Sequence, residues 1–184
     1  MTRFYSDHFH ATGVVSTLAG TLPLDNSVKI DQGRGGSDLQ IKRARFNVGT
    51  AALIGDEIRL MTLMSSNRIY EVLVSSDGGA TAGIADLGVY FTGANHDGTV
   101  LDVDLFATAL VLDAAITRVD QFKESTTLND RDRGKYLWEL VNIGVPSTFP
   151  KDPAQSMDLV FTVTTSFTVA VTDVVVEVRY TAAH

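Results

Sequence analysis

The sequence predicts an all-β protein, a jelly-roll-like β-sandwich with an extended N-terminal arm. Three observations predict it. From residue 41 onward, apolar and polar residues alternate with period two in short runs rich in valine, isoleucine, threonine and aromatics. Turn signals built on glycine, aspartate and proline separate these runs: SSDGGAT (75–81), NHDGT (95–99) and NIGVPSTFPKDP (142–153). No helical stripe runs longer than a few turns. Seven or eight short strands at this spacing suit two packed sheets.

The elements follow in order. Residues 1–40 are polar and loop-like, with scattered aromatics and a GRGGSD break at 33–38. They form either a loose terminus or an arm that docks on a neighbour, and Phe4, Tyr5 and Phe9 favour docking because large aromatics on a free tail would stay wet. IKRARFNVG (41–49) alternates charged and apolar positions. DEIRLMTLM (56–64) sets Ile58, Leu60 and Thr62 on one face, with Arg59, Met61 and Leu63 on the other. RIYEVLVSS (68–76) aligns Tyr70, Val72 and Val74, and GIADLGVYFT (83–92) aligns Ala85, Leu87, Val89 and Phe91. DVDLFATAL (102–110) reads as a short helix capped by an aspartate or as a further strand. YLWELVNI (136–143), MDLVFTVTT (157–165) and DVVVEVRYT (173–181) read as strands, and Trp138 is expected in the core of the first of them. In the last, Val174, Val176, Val178 and Tyr180 share a face opposite Glu177 and Arg179.

A chain of 184 residues, 45% hydrophobic and 20% charged, supports one folded domain with an arm; the expected division is 1–40 and 41–184. Twenty-two acidic against fifteen basic residues give a net charge of −7. That balance argues against nucleic acid or an anionic membrane as partner, since phosphate binding needs clustered cations. There are no cysteines, which excludes disulfides, thiolate metal sites and cysteine nucleophiles. The opening MTRFYSDHFHATGVV lacks the basic and apolar regions of a signal peptide, and no apolar run reaches the ~18 residues of a membrane span. The expected product is soluble and made in a cytoplasm.

The stretch GANHDGTVLDVDLFATALVLDAA (93–115) is the densest in chemistry-bearing residues. As an EF-hand starting at Asp97 it would place Leu101 at a ligand position; starting at Asn95 it would place Val100 where glycine is required. Asp97-Gly98 reads more simply as a turn between strands. Asp102 and Asp104 are spaced to point the same way on a strand, where two carboxylates can share a proton or bind a cation, or can serve as caps. His8 and His10 have the spacing of a metal pair, with only Asp7 nearby. The GRGGSD run lacks the lysine and helix of a phosphate loop. KESTTLNDRDRGK (123–135) is either a solvated tip or a contact loop whose Arg131, Asp132 and Arg133 meet charges on a neighbour. Lys42, Arg43 and Arg45 read as a charged edge strand or a basic patch. No Gly-x-Ser-x-Gly elbow is present. No catalytic set, metal site or cofactor is expected, and an enzyme using Asp97, Asp102 and Asp104 is the residual alternative.

From Gly55 the text resembles a module common among tailed-phage virion proteins. The pattern is Gly55-Asp56-x-Ile58, then Arg68-Ile69 ending at Val74, then Ala82 followed by Asp86-Leu87-Gly88-Val89-Tyr90. It continues through Asp97, Gly98, Asp102, Asp104, Phe106 and Ala107, and the C-terminal DLVFTVTTSFT and VVVEVRY runs resemble the closing strand pair of those proteins. MSSN (64–67) departs from the family's usual turn. The chain is thereby identified with the head decoration, or cement, proteins of tailed bacteriophages. The resemblance implies a jelly-roll or related sandwich, a homotrimer, binding to the major capsid protein at three-fold and quasi-three-fold positions, a place on the outside of the virion, and no catalytic residues. The residues expected to make capsid or trimer contacts are Phe4, Tyr5 and Phe9 in the arm and Arg131, Asp132 and Arg133 in the charged loop. The alternative is a jelly-roll module of a tail or fibre that binds glycans, which would need exposed aromatics in a chain only 8% aromatic.

Overall fold

The computed structural model describes residues 39–47, 52–78, 83–112, 114–167 and 173–182, and residues 3–5 by their backbone. The strands are β1 (Arg3–Tyr5), β2 (Gln40–Asn47), β3 (Glu57–Met64), β4 (Arg68–Ser76), β5 (Ile84–Phe91), β6 (Val100–Val111), β7 (Ile116–Asp120), β8 (Ser156–Thr165) and β9 (Asp173–Thr181). Between β7 and β8 lie α1 (Gln121–Glu124), a 3₁₀ turn (Asp130–Asp132) and α2 (Leu137–Gly144).

One sheet runs β2-β9-β4-β7 and the other β3-β8-β5-β6, with β1 added outside β3. Apart from β1, every pairing is antiparallel. From β2 onward, only the β5–β6 connection stays within one sheet; every other step crosses the sandwich. This is the two-Greek-key order of an eight-stranded jelly roll.

The alternation that predicted the strands is the alternation of their burial. Ala44 and Phe46 on β2 and Val174, Val176 and Val178 on β9 face Leu87 and Val89 on β5 and Leu159 and Phe161 on β8. The Phe46 and Phe161 rings meet across the sheets at 5.7 Å. Two bulges shift the expected faces. A register shift between Arg59 and Met61 moves Met61 and Leu63 onto the core side with Ile58. A second, between Ile69 and Glu71, puts Ile69 rather than Tyr70 in the core with Val72 and Val74.

Each open side of the sandwich is closed differently. On one, the Lys42 ammonium reaches from β2 to the Thr62 carbonyl of β3, 2.7 Å away. On the other, α1 packs against β4, β6 and β7. Its Phe122 is buried 5.9 Å from the Phe106 ring, and the Asp120 carboxylate caps it by accepting from Phe122 N–H.

Residues 136–143, expected as a strand, instead form most of α2. Leu137, Leu140 and Val141 are buried at helical spacing, and the Glu139 carboxylate accepts from Tyr136 N–H at 2.9 Å. Trp138 therefore sits on a helix, half-buried against the core rather than within it. The 102–110 segment resolves as strand β6.

Candidate functional site

The Gly93–Thr99 loop is the β5–β6 hairpin connection, and a buried polar network fastens it to the sheet. Arg59 donates from Nη1 to the Phe91 carbonyl (3.1 Å) and from Nη2 to the Gly98 carbonyl (2.8 Å), so it spans the base of the loop. The same guanidinium pairs with Glu57 at 2.9 Å and Asp158 at 3.3 Å, and lies over the Tyr90 ring at 4.9 Å. Asp158 also accepts from the hydroxyls of Thr62 (2.8 Å) and Thr92 (2.9 Å), and His96 Nδ1 lies 3.0 Å from its other oxygen. Glu57, Arg59, Tyr90 and Asp158 are all buried. Burial pushes the Tyr90 phenol above its ordinary range, against the opposing hydrogen bond with Thr162. Such a set works as a clamp: two carboxylates and two backbone carbonyls hold the guanidinium, whose Nε is buried without a hydrogen-bond partner.

The aspartates of the opening stretch separate by role. Asp97 accepts from Asn95 N–H within the loop. Asp102 and Asp104 are neighbours on β6, with Asp104 N–H donating to the Asp102 carboxylate at 3.3 Å. Burial, and then the side-chain hydrogen bond and charge of the Asp104 carboxyl, push the Asp102 carboxyl up to about 6, against the Asp104 N–H bond, which favours the ionised form. The Asp102 carboxylate packs against Gly144 at the end of α2, where a Cβ would collide with it. Asp104 accepts from the Thr108 hydroxyl at 3.0 Å. Among the described residues, no group of three His, Cys, Asp or Glu side chains is placed to hold a metal ion.

In the charged loop, the structure gives the three expected contact residues different surroundings. Arg133 donates to Asp120 (2.5 Å), Asp130 (2.7 Å) and the Tyr70 carbonyl (2.7 Å), and lies over Phe122 at 5.0 Å. Burial works against its charge, yet the bonds to Asp120 and Asp130 raise its pKa above the ordinary value. Asp132 is buried and accepts from Asn129 N–H and from the Lys135 ammonium, 2.7 Å away. Burial opposes ionisation there, but these donors hold the carboxyl below its usual range. Arg131 is exposed. Phe4 and Tyr5 lie on β1, whose backbone pairs in parallel with Ile58 and Arg59 of β3. Phe9, His8, His10 and the GRGGSD run lie outside the described residues. On β2, Arg45 pairs with Asp173 of the adjacent β9.

The motifs that carried the family resemblance have local explanations. The Asp56 carboxylate accepts from Leu53 N–H (2.8 Å) and so closes the turn that Gly55 permits. Asp86 accepts from Ala109 N–H (2.7 Å), holding a residue whose φ is 52° in the bulged β6. The clamp around Arg59 was not legible as a site; the sole hint was a cation between isoleucine and leucine in a strand.

Among the described residues, no helix is long and apolar enough to cross a membrane. The exposed large apolar side chains among them, including Leu53, Ile54, Met64 and Val100, are all aliphatic.

The strand order defines an all-β jelly-roll sandwich. No family model matches the chain, and no curated protein matches it. Two solved structures are similar. A chain of the capsid of Ralstonia phage GP4 is 15% identical, with 83% of this chain and 90% of that one covered at a TM-score of 0.55. A chain of the Cyanophage Pam1 capsid asymmetric unit is 15% identical, with coverage of 94% and 100% and a TM-score of 0.49. The first of these establishes a shared fold.

Proposed function

We propose that this chain is a structural virion protein of a tailed phage, a decoration protein that binds the major capsid protein lattice as a homotrimer and strengthens the head from outside. The observation that carries the reading is the jelly-roll likeness to a phage-capsid chain over nine-tenths of that chain's length. The virion-protein motifs on β3 to β6 support it independently. A rigid domain bridging adjacent capsid subunits stabilises the shell by linkage, since it binds the assembled lattice and not its dissociated parts. A symmetric trimer matches a three-fold site. In this reading Phe4, Tyr5 and Phe9 of the arm and the Arg131–Arg133 loop supply the contacts, with Arg131 the cation of that loop most open to a partner.

The test mixes purified protein with undecorated phage heads and follows co-sedimentation and head stability to heat. Saturable binding in multiples of three per three-fold site, with stabilised heads, is the expected result. Removal of residues 1–20 is expected to weaken attachment while the sandwich stays folded. Heads that bind none of the intact protein would remove the reading. In solution, a native mass of about 60 kDa, three times 19.9 kDa, is expected.

A further inference from the structure

Among the described residues, β1 is attached to the sandwich through β3. It pairs with β3 through Arg3 with Glu57, Phe4 with Ile58 and Tyr5 with Arg59, in parallel, and among the described residues with no other strand. β2 begins at Gln40, with 34 residues (6–39) between it and Tyr5. At about 3.3 Å per residue that link can span roughly 110 Å, whereas a chain of this length folds to a radius of gyration of roughly 16 Å. Covalent connection therefore does not dictate whose β3 receives the strand. Leu53 and Ile54, just ahead of the pairing segment, are 60% and 69% exposed although both are large and aliphatic. With the arm docked on its own sheet, they remain in water.

We infer that residues 3–5 of one copy pair with β3 of a neighbouring copy, so that arms are exchanged around a closed oligomer. The inference rests on the self-association proposed above and supplies its contact. The backbone pairs are the same in either arrangement, because strand addition reads the edge and not the chain it came from. Exchange adds what internal docking lacks: the arm brings a second sandwich against the β3 edge, where Leu53 and Ile54 can be covered. A closed ring also fills each edge once, leaving none open for unlimited strand addition.

The chain has no cysteine, so a disulfide trap has no background. Arg3→Cys and a size-tagged Glu57→Cys are refolded together, oxidised and separated without reductant. The expected result is a two-chain product containing one of each. Where Glu57→Cys unsettles Arg59, Phe4→Cys with Ile58→Cys tests the adjacent pair. A double variant that closes only on itself, with no mixed product, overturns the inference; so does the absence of any cross-link. Native mass on the same samples separates the two proposals. An oligomer without mixed disulfide removes arm exchange and leaves self-association standing, whereas a monomer without it removes both.

Discussion

Arg59 and Asp158 form an ion pair across β3 and β8 in which neither side chain reaches solvent, with Nη1 3.3 Å from Oδ2. Two charges withdrawn from water are costly unless every remaining valence is met. Here Asp158 takes two hydroxyls besides Arg59, while Arg59 takes Glu57 and the Phe91 and Gly98 carbonyls at the base of the hairpin connection, and its Nε is left buried without a partner. Removing the cation strands two carboxylates. Arg59→Met is expected to cost about 3–5 kcal/mol. Adding Asp158→Asn is expected to cost less than the two single changes summed, since it removes a charge the first has orphaned. Urea unfolding of the four proteins in the cycle measures this, and additive costs would show that the pair is not coupled.

How far the sequence reveals this arrangement depends on the element. β5, β8 and β9 are legible because strict alternation and burial coincide: Ala85, Leu87 and Val89, or Val174, Val176 and Val178, reach the core in step. β3 and β4 are legible as strands but not as faces, because a bulge is a matter of backbone register and leaves no mark on composition. α2 is hidden because LWELVNI is apolar enough to suit either period over so short a span, and only the Glu139 contact with Tyr136 N–H and the packing of Leu140 and Val141 decide it. The clamp at Arg59 is illegible for the same reason as the bulges: the spacing of Arg59 and Thr62 does not suggest a shared face, yet both reach Asp158.

The Asp102–Asp104 pair gives the fold a pH dependence whose sign follows from burial. Asp102 is raised from an ordinary 3.8 to about 6, so the folded state holds its proton more tightly than the unfolded one. Its stabilising contribution is full below about pH 4 and is lost as pH rises through about 6. Asp102→Asn mimics the protonated acid, keeping a donor toward Asp104 and discarding the charge. It is expected to raise stability at pH 7 by on the order of 1–2 kcal/mol and to flatten the dependence between pH 4 and 6. Thermal melts across that range, compared with the parent, decide it; parallel curves for the two proteins would rule out Asp102 as the source.

Arg131 and Arg133 differ in what each gives to the fold. Arg133 ties the loop to Asp120, Asp130 and the Tyr70 carbonyl, and Asp120 in turn caps α1. Arg133→Ala is expected to cost about 2–4 kcal/mol, in line with lost hydrogen bonds between charged groups. Arg131→Ala is expected to change stability by less than about 0.5 kcal/mol, as for an exposed side chain, while weakening attachment to phage heads. Denaturation midpoints alongside head co-sedimentation separate the roles; an Arg131→Ala protein that binds heads as well as the parent would take that residue out of the contact.

Gly55 and Gly88 both belong to the motifs that carry the family resemblance, but each is required for a different physical reason. Gly55 has φ +86° in the turn before β3, with nothing near the position a Cβ would take. Its demand is conformational, and Gly55→Ala is expected to cost about 1–2 kcal/mol. Gly88 lies where β6 bulges against β5, and a methyl there would fall inside van der Waals contact of the Asp102 carbonyl oxygen and the Val103 carbonyl. Those atoms are backbone and cannot swing aside. Relief requires β6 to move off β5, carrying Asp102 away from Gly144. Gly88→Ala is therefore expected to cost about 3 kcal/mol or more and to disturb the Asp102 titration, which Gly55→Ala leaves alone. Urea midpoints rank the two variants, and the pH dependence of their melts reports on Asp102. Equal costs with unchanged titration would mean that β5 and β6 are not held together this closely at Gly88.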